Sequence, residues 1–203
     1  MQSLNKSAVK GTLYHTWFIY PVAAALLSII WLWSFPAFHQ PTPQQKIDIF
    51  FSSNVHSDAF TKPILEKYDR ENLREITVNY ASPENVLYYQ KLEVAMNNSD
   101  IMVLTKTTFE AYSKHYVNYF VPIGSYVQEK IGIDESRIKD GYGVLLKNKD
   151  ENHYLENYIS FANEDYYLVF MISSQNLGSA LDENNGAHDN ALTFTRYLLE
   201  GDE

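Results

Sequence analysis

DIMVLTKTTFEAYSKHYVNYF, Asp100 to Phe120, opens as a short apolar strand and runs without a break into residues at helical spacing. Phe109, Tyr112, Tyr116 and Phe120 recur with the helix period, and Thr107 and Glu110 have capping-box spacing, so a helix is expected to begin there. A strand that feeds directly into a helix is the repeating step of an α/β fold. The free N–H groups of such a helix start stand at the carboxyl end of the strand, where open α/β sheets bind ligands.

The same pattern occurs twice upstream. KIDIFF, Lys46 to Phe51, alternates only loosely, as a strand buried on both faces does. After SSN a helix is expected from Ser57, or from Thr61 with Pro63 in its first turn, and Phe60, Ile64 and Tyr68 share one face of it. REITVNYAS, Arg74 to Ser82, is a second strand of β-branched and aromatic residues. Asn85 to Asn97 then reads as a helix presenting Tyr88, Leu92, Ala95 and Met96 on one side. The order β-α-β-α-β predicts right-handed crossovers and a mostly parallel sheet with helices on its faces.

Downstream the signals are less regular. FVPIGSYVQEKIGI, Phe120 to Ile133, reads as a turn and a short helix, and GYGVLLKN, Gly141 to Asn148, as a strand. YYLVFMI, Tyr166 to Ile172, is the strongest strand signal of this half. A polar loop, SSQNLGSALDENNGAHDN, leads to a final helix around Ala191 to Leu199, with Asp189 or Asn190 as its cap and Gly201 as its stop.

Near the start, WFIYPVAAALLSIIWLWSF from Trp17 to Phe35 carries no charge and matches the ~20 apolar residues that span a bilayer as a helix. Trp17 and Tyr20 at one edge, with Trp31 and Trp33 near the other, fit interfacial belts, and Lys6 and Lys10 put the tail on the cytoplasmic side. A cleaved secretory signal is the competing reading, but SFPAFHQ offers no clean pair of small residues for cleavage. The expected organisation is a cytoplasmic tail over residues 1–16, a transmembrane helix over 17–38, a polar proline-containing spacer over 39–45 and an extracytoplasmic α/β domain over 46–203. The expected location is the cell membrane, single-pass, with the domain outside.

All 25 Asp and Glu residues follow Phe38 together with 14 of the 16 Lys and Arg, so this outer part carries a formal −11. Such a surface repels polyphosphate and argues against nucleic acid as a partner. With no cysteine there are no disulfides, no thiolate metal sites and no thiol nucleophile.

In this order the segments resemble the first lobe of extracellular solute-binding proteins of the type II periplasmic class, the family-1 sugar-binding type in particular. The resemblance rests on KIDIFF, on a helix ending in LEKYDREN, on ITVNY, VLYYQKLEVAMNNS and SDIMVLT, and on the turn FVPIGSYV. Lys91-Leu92, Asp100 and Pro122-Ile123 stand where that family carries a K-L pair, an aspartate before the third strand and a proline followed by an apolar residue. It covers Lys46 to Gly132 and extends to the YYLVFMI strand. It implies small-solute capture for an ABC-type uptake system, with two departures: the chain between Gly132 and Tyr166 is short for a second lobe, and there is no lipid-attachment cysteine.

Catalytic signatures are scarce. The six histidines show neither an HExxH nor an i,i+4 pair, so no metal site is expected, and DENNGAHD, Asp182 to Asp189, lacks the alternating spacing of a calcium loop. There is no G-x-S-x-G, P-loop or G-x-G-x-x-G, and no cofactor is implied. Asp134-Glu135 and Glu164-Asp165 read as solvated surface. Tyr88, Tyr89, Tyr112, Tyr116 and Tyr119 fall on two predicted helices, where packing competes with a recognition patch as their role. The sequence thus leads to a membrane-anchored, non-catalytic binding domain with a membrane-protein or transporter partner. The alternative is small-solute binding at the strand ends by Ser53, Asn54, Thr105 and Thr107, and an enzyme of unknown type is more distant.

Overall fold

The computed structural model describes residue 17 and residues 19–67, 73–178 and 189–201. The chain divides into two units, Met1–Gln40 and Pro41–Glu203.

Among the described residues the first unit contains one helix, α1 (Ile19–His39), whose large apolar side chains lie open, Trp33 by 83% and Leu32 by 68%. Ser28 and Ser34 turn their hydroxyls back onto the carbonyls of Ala24 and Ile30, so neither leaves a polar group bare on the helix surface. The helix starts two residues later than the expected apolar run. Its described side chains extend only to Phe35, and among the described residues no helix is long and apolar enough to cross a membrane.

In the second unit a six-stranded sheet has the order β3-β1-β4-β8-β6-β5, built from β1 (Lys46–Phe51), β3 (Glu75–Tyr80), β4 (Ile101–Thr105), β5 (Ile138–Lys139), β6 (Gly143–Lys147) and β8 (Tyr166–Phe170). A small ribbon pairs β2 (Asn54–Val55) with β7 (Ile159–Ser160). The predicted β-α-β-α-β half forms as read: β3, β1 and β4 are parallel neighbours, with Lys46 opposite Glu75 and Ile49 opposite Ile101. Four of the six strands share a direction, but β8 enters antiparallel beside β4 and turns the rest of the sheet into antiparallel pairs. The chain from Gly132 to Tyr166 supplies β5 to β7 to this same unit.

Alternation along the strands sorts the core onto two faces. Ile47, Ile49 and Phe51 of β1 join Ile101, Val103, Leu168 and Phe170 on the first face. There α2 (Thr61–Lys67), α6 (Ser125–Ile131) and α7 (Asn190–Glu200) contribute Ile64, Val127 with Ile131, and Leu192, Phe194 and Leu198. Phe50, Met102, Leu104, Tyr167 and Val169 point to the second face, covered by α3 (Tyr88–Asn98), α4 (Lys106–Ala111) and α5 (Tyr116–Tyr119) through Tyr88, Leu92, Ala95, Phe109 and Tyr116. The Phe109 ring stacks on Tyr116 at 4.6 Å and on Tyr167 at 5.1 Å. Gly143 makes room for it, because a Cβ there would lie 2.8 Å from the ring.

Two local readings need correction. The single helix expected through Tyr116 and Phe120 is broken into α4 and α5, because three-residue bonds such as His115 N–H to Tyr112 O at 2.8 Å tighten the chain between them. The capping box at Thr107 and Glu110 does not form. Thr105, the last residue of β4, caps α4 itself by accepting from Thr108 N–H at 3.2 Å, so the helix starts two residues early. Beyond these, β5 and β6 form a hairpin around Asp140 and Gly141, both at positive φ, with Tyr142 N–H bonded to Lys139 O at 3.1 Å. This is the Asp-Gly turn that matches the twist of paired strands. The final helix has Asp189 at its N-cap and Gly201, at φ 73°, at its C-cap. Tyr68 and most of DENNGAHD lie outside the described residues.

Candidate functional site

Of the four residues expected to bind a ligand at the strand ends, Ser53, Thr105 and Thr107 are engaged by hydrogen bonds within the fold. Ser53 is buried and donates its hydroxyl to Ser160 O, and Asn54 is exposed on β2, opposite Ser160. Thr105 is buried as the cap of α4 and donates to Thr108 Oγ1 at 3.0 Å. Thr107 is exposed, and both its N–H and its hydroxyl donate to Glu164 Oε2 at 3.0 Å. The Glu164 carboxylate therefore sits at the helix start where a ligand was expected. It belongs to the Glu164-Asp165 pair read as solvated surface, and Asp165 too is engaged, accepting from Lys149 N–H at 3.0 Å with Lys106 Nζ at 3.8 Å.

Behind them is a closed hydroxyl network. Tyr88 OH lies 2.5 Å from Ser52 Oγ and 3.0 Å from Thr108 Oγ1, all three buried, and burial raises the phenol above its usual pKa. Lys147, 5% exposed, is held by Glu156 at 3.3 Å. Nearby, burial and the adjacent Arg137 push His153 down to about 4, so its neutral ring accepts from Leu155 N–H at 3.3 Å and caps the short turn Tyr154–Asn157. This end of the sheet satisfies itself.

Open space lies instead on the second face, beside α3. A groove of about 440 Å³ runs between the helix and the β1–β3 pair, floored by Phe50, Asn79 and Tyr80 and walled by Leu87, Lys91 and Val94. It exists because α3 turns Tyr88, Leu92 and Ala95 inward, leaving Leu87 and Val94 half or more exposed on the groove side. On β1 and β3 the residues of this face away from Phe50 are Lys46, Asp48, Glu75 and Thr77, half-buried or exposed. Val86 and Tyr89, exposed by 96% and 75%, extend the apolar surface past the rim. Among the described residues the lining carries one cation, Lys91, with the amides of Asn79, Gln90 and Asn98, and no carboxylate.

Asn98 and Ser99 also line a polar cavity of about 350 Å³ at the amino ends of the strands. Its inner wall is Asp100, 7% exposed, which accepts from Asp48 N–H at 2.9 Å, Ser174 Oγ at 2.5 Å and Asn176 Nδ2 at 3.0 Å. Burial raises its carboxyl above the usual range even against these bonds. Asn176 Nδ2 also donates to Lys46 O at 2.8 Å and Pro43 O at 3.2 Å, so one amide ties the segment after β8 to the approach to β1. Bonds of this kind describe a structural pin.

Of the five tyrosines singled out in the sequence, Tyr88 and Tyr116 are buried, Tyr112 is half-buried, and Tyr89 and Tyr119 are exposed. Leu87 and Val94 carry the groove and were missed. Their signal was present: Leu87, Val94 and the neighbouring Lys91 fall outside the Tyr88, Leu92, Ala95 stripe, and two aliphatic residues off that stripe mark an apolar surface without a partner. No family model, no curated protein and no solved structure matches this chain.

Proposed function

We propose that the chain is a membrane-anchored, extracytoplasmic, non-catalytic domain that docks a membrane-protein or transporter partner in the groove beside α3. The observation that carries this reading is the groove itself, an apolar cleft with Leu87 and Val94 open on its wall and Val86 and Tyr89 beside it. Its occupant is a protein segment with an apolar anchor and a carboxylate: the floor takes the first, and Lys91, with no carboxylate among the described lining residues, pairs with the second. For the anchor, support comes from the uncharged run Trp17 to Phe35 and from α1, whose apolar side chains are exposed and whose serine hydroxyls bond within the helix.

The test is recovery of partners from detergent by the full chain, by the Leu87→Asp, Val94→Asp double variant, and by the N-terminal helix alone. The species bound by the full chain is lost from both of the others, while the double variant keeps its melting temperature. Equal recovery by the helix alone would sink the reading.

One observation favours a second reading. About 440 Å³ is the size of a small-ligand pocket, so the solute-binding role implied by the periplasmic-class resemblance moves from the strand ends to this groove. That resemblance is supported by its segments sharing one sheet, as β1, β3, β4 and β8. Thermal stabilisation of the full chain that grows with the concentration of a sugar, amino acid or anion, and disappears in Leu87→Asp, would favour it over the docked partner.

A further inference from the structure

The two edges of the sheet are finished differently. At one, β5 is two residues long, ends on Lys139 and is folded straight back by the Asp140-Gly141 turn. Short, charged edges of that kind resist pairing with other chains. At the other, β3 runs for six residues in unbroken register with β1, with no proline and no bulge. Its only charge, Glu75, is at its first position and 3.9 Å from Lys46. Among the described residues β3 pairs with β1 alone, so alternate backbone N–H and C=O groups along its outer flank point away from the sheet. Ile76 and Val78 pack against the first-face core yet are only partly buried.

We propose that this flank pairs antiparallel with β3 of a second copy of the chain, about a two-fold axis through Thr77, so that one sheet continues across the pair. Directly opposed residues of an antiparallel pair lie on the same face. In this register Ile76 of each copy therefore meets Val78 of the other on the first face, and covers the apolar area that each leaves open. Thr77 meets itself on the second face, and Glu75 meets Asn79, so no charge faces its like. A slip by one residue would set Ile76 against Asn79 and bring opposite faces together, which selects against it. The contact is isologous and closes after two copies. It shares Asn79 and Tyr80 with the floor of the docking groove but not Leu87 or Val94, so the Leu87→Asp, Val94→Asp double variant, which should lose the docked partner and still pair, tells the two sites apart. The formal −11 of each outer domain opposes approach at long range, and salt screens this over about 10 Å, so pairing strengthens as salt is added.

Since the chain has no cysteine, one introduced thiol reports on its own position. With the full chain in detergent, Thr77→Cys should form a reducible disulfide dimer under mild oxidation at least about tenfold faster than Tyr89→Cys, because paired strands hold the two thiols at a high effective concentration. Glu75→Cys alone should stay monomeric, and Glu75→Cys combined with Asn79→Cys should cross-link. Light scattering of the unsubstituted chain should give twice the protomer mass and that of Thr77→Lys, which sets two ammonium groups face to face, a single protomer. Cross-linking of Thr77→Cys no faster than Tyr89→Cys, or a monomeric mass for the unsubstituted chain at both low and high salt, would overturn the proposal.

Discussion

At the carboxyl ends of β1 and β4 the hydroxyls of Ser52, Tyr88, Thr108 and Thr105 form a chain of hydrogen bonds in that order, and Glu164 closes the start of α4. Along the groove side of α3, Leu87 and Val94 face open space, and Lys91 stands among amides. Both regions hold residue types that bind ligands. The first spends its hydrogen bonds on its own fold, because burying a hydroxyl without a partner costs about 1–3 kcal/mol. The second leaves an apolar surface uncovered, the state that a docking partner relieves.

Substitutions should therefore separate the two regions by what they damage. The largest effect is expected on the inner side of α3, where Leu92 is 1% exposed: Leu92→Ala should lower unfolding stability by about 2–5 kcal/mol in chemical denaturation. Next is the hydroxyl network, where Tyr88→Phe removes the atom shared by Ser52 and Thr108 and should cost about 1–3 kcal/mol by the same measurement. An equal loss of partner binding in properly folded Tyr88→Phe would break the contrast, since the sealed end would then be functional.

His153 gives a pH test of the sealed end. Its ring titrates near 6.5 when unfolded and about 4 when folded, so between these values the unfolded chain takes up a proton that the folded chain does not. The stability it protects is complete above pH 6.5 and is lost as pH falls toward 4. Melting temperature should drop from pH 7 to pH 5, and the drop should be shallower in His153→Gln. The smallest effect belongs to the groove: Val94, 61% exposed, can become Ser with a change within about 0.5 kcal/mol, while partner recovery falls. A large loss of stability there would show that Val94 serves the core.

The parallel half of the fold was legible because β1, α2, β3, α3 and β4 each carry a local pattern, and because their order leaves few topologies open. What lay beyond was set by pairing over long sequence distances. Nothing local in YYLVFMI says that it runs antiparallel between β4 and β6, and Thr105 outcompetes Thr107 as a cap only because β4 ends where it does. Lys139-Asp140-Gly141 was a turn signal that went unread. The engagement of Thr107 was hidden in the sequence for a related reason. Glu164 lies 57 residues from Thr107 in the chain, and only the fold brings it onto that helix start.

Because β1 sits inside the sheet, its attachment also sets how the domain bears load. The chain leading from the proposed anchor passes through Pro43, pinned by Asn176, and enters β1 between β3 and β4. Under the proposed anchoring and docking, a pull from the membrane resisted by a partner beside α3 would act along β1. It loads both parallel ladders in shear, so that their bonds must yield together and cannot be peeled off one by one. A tether attached to a peripheral strand would unzip. A tether that enters at β1 would hold under tension.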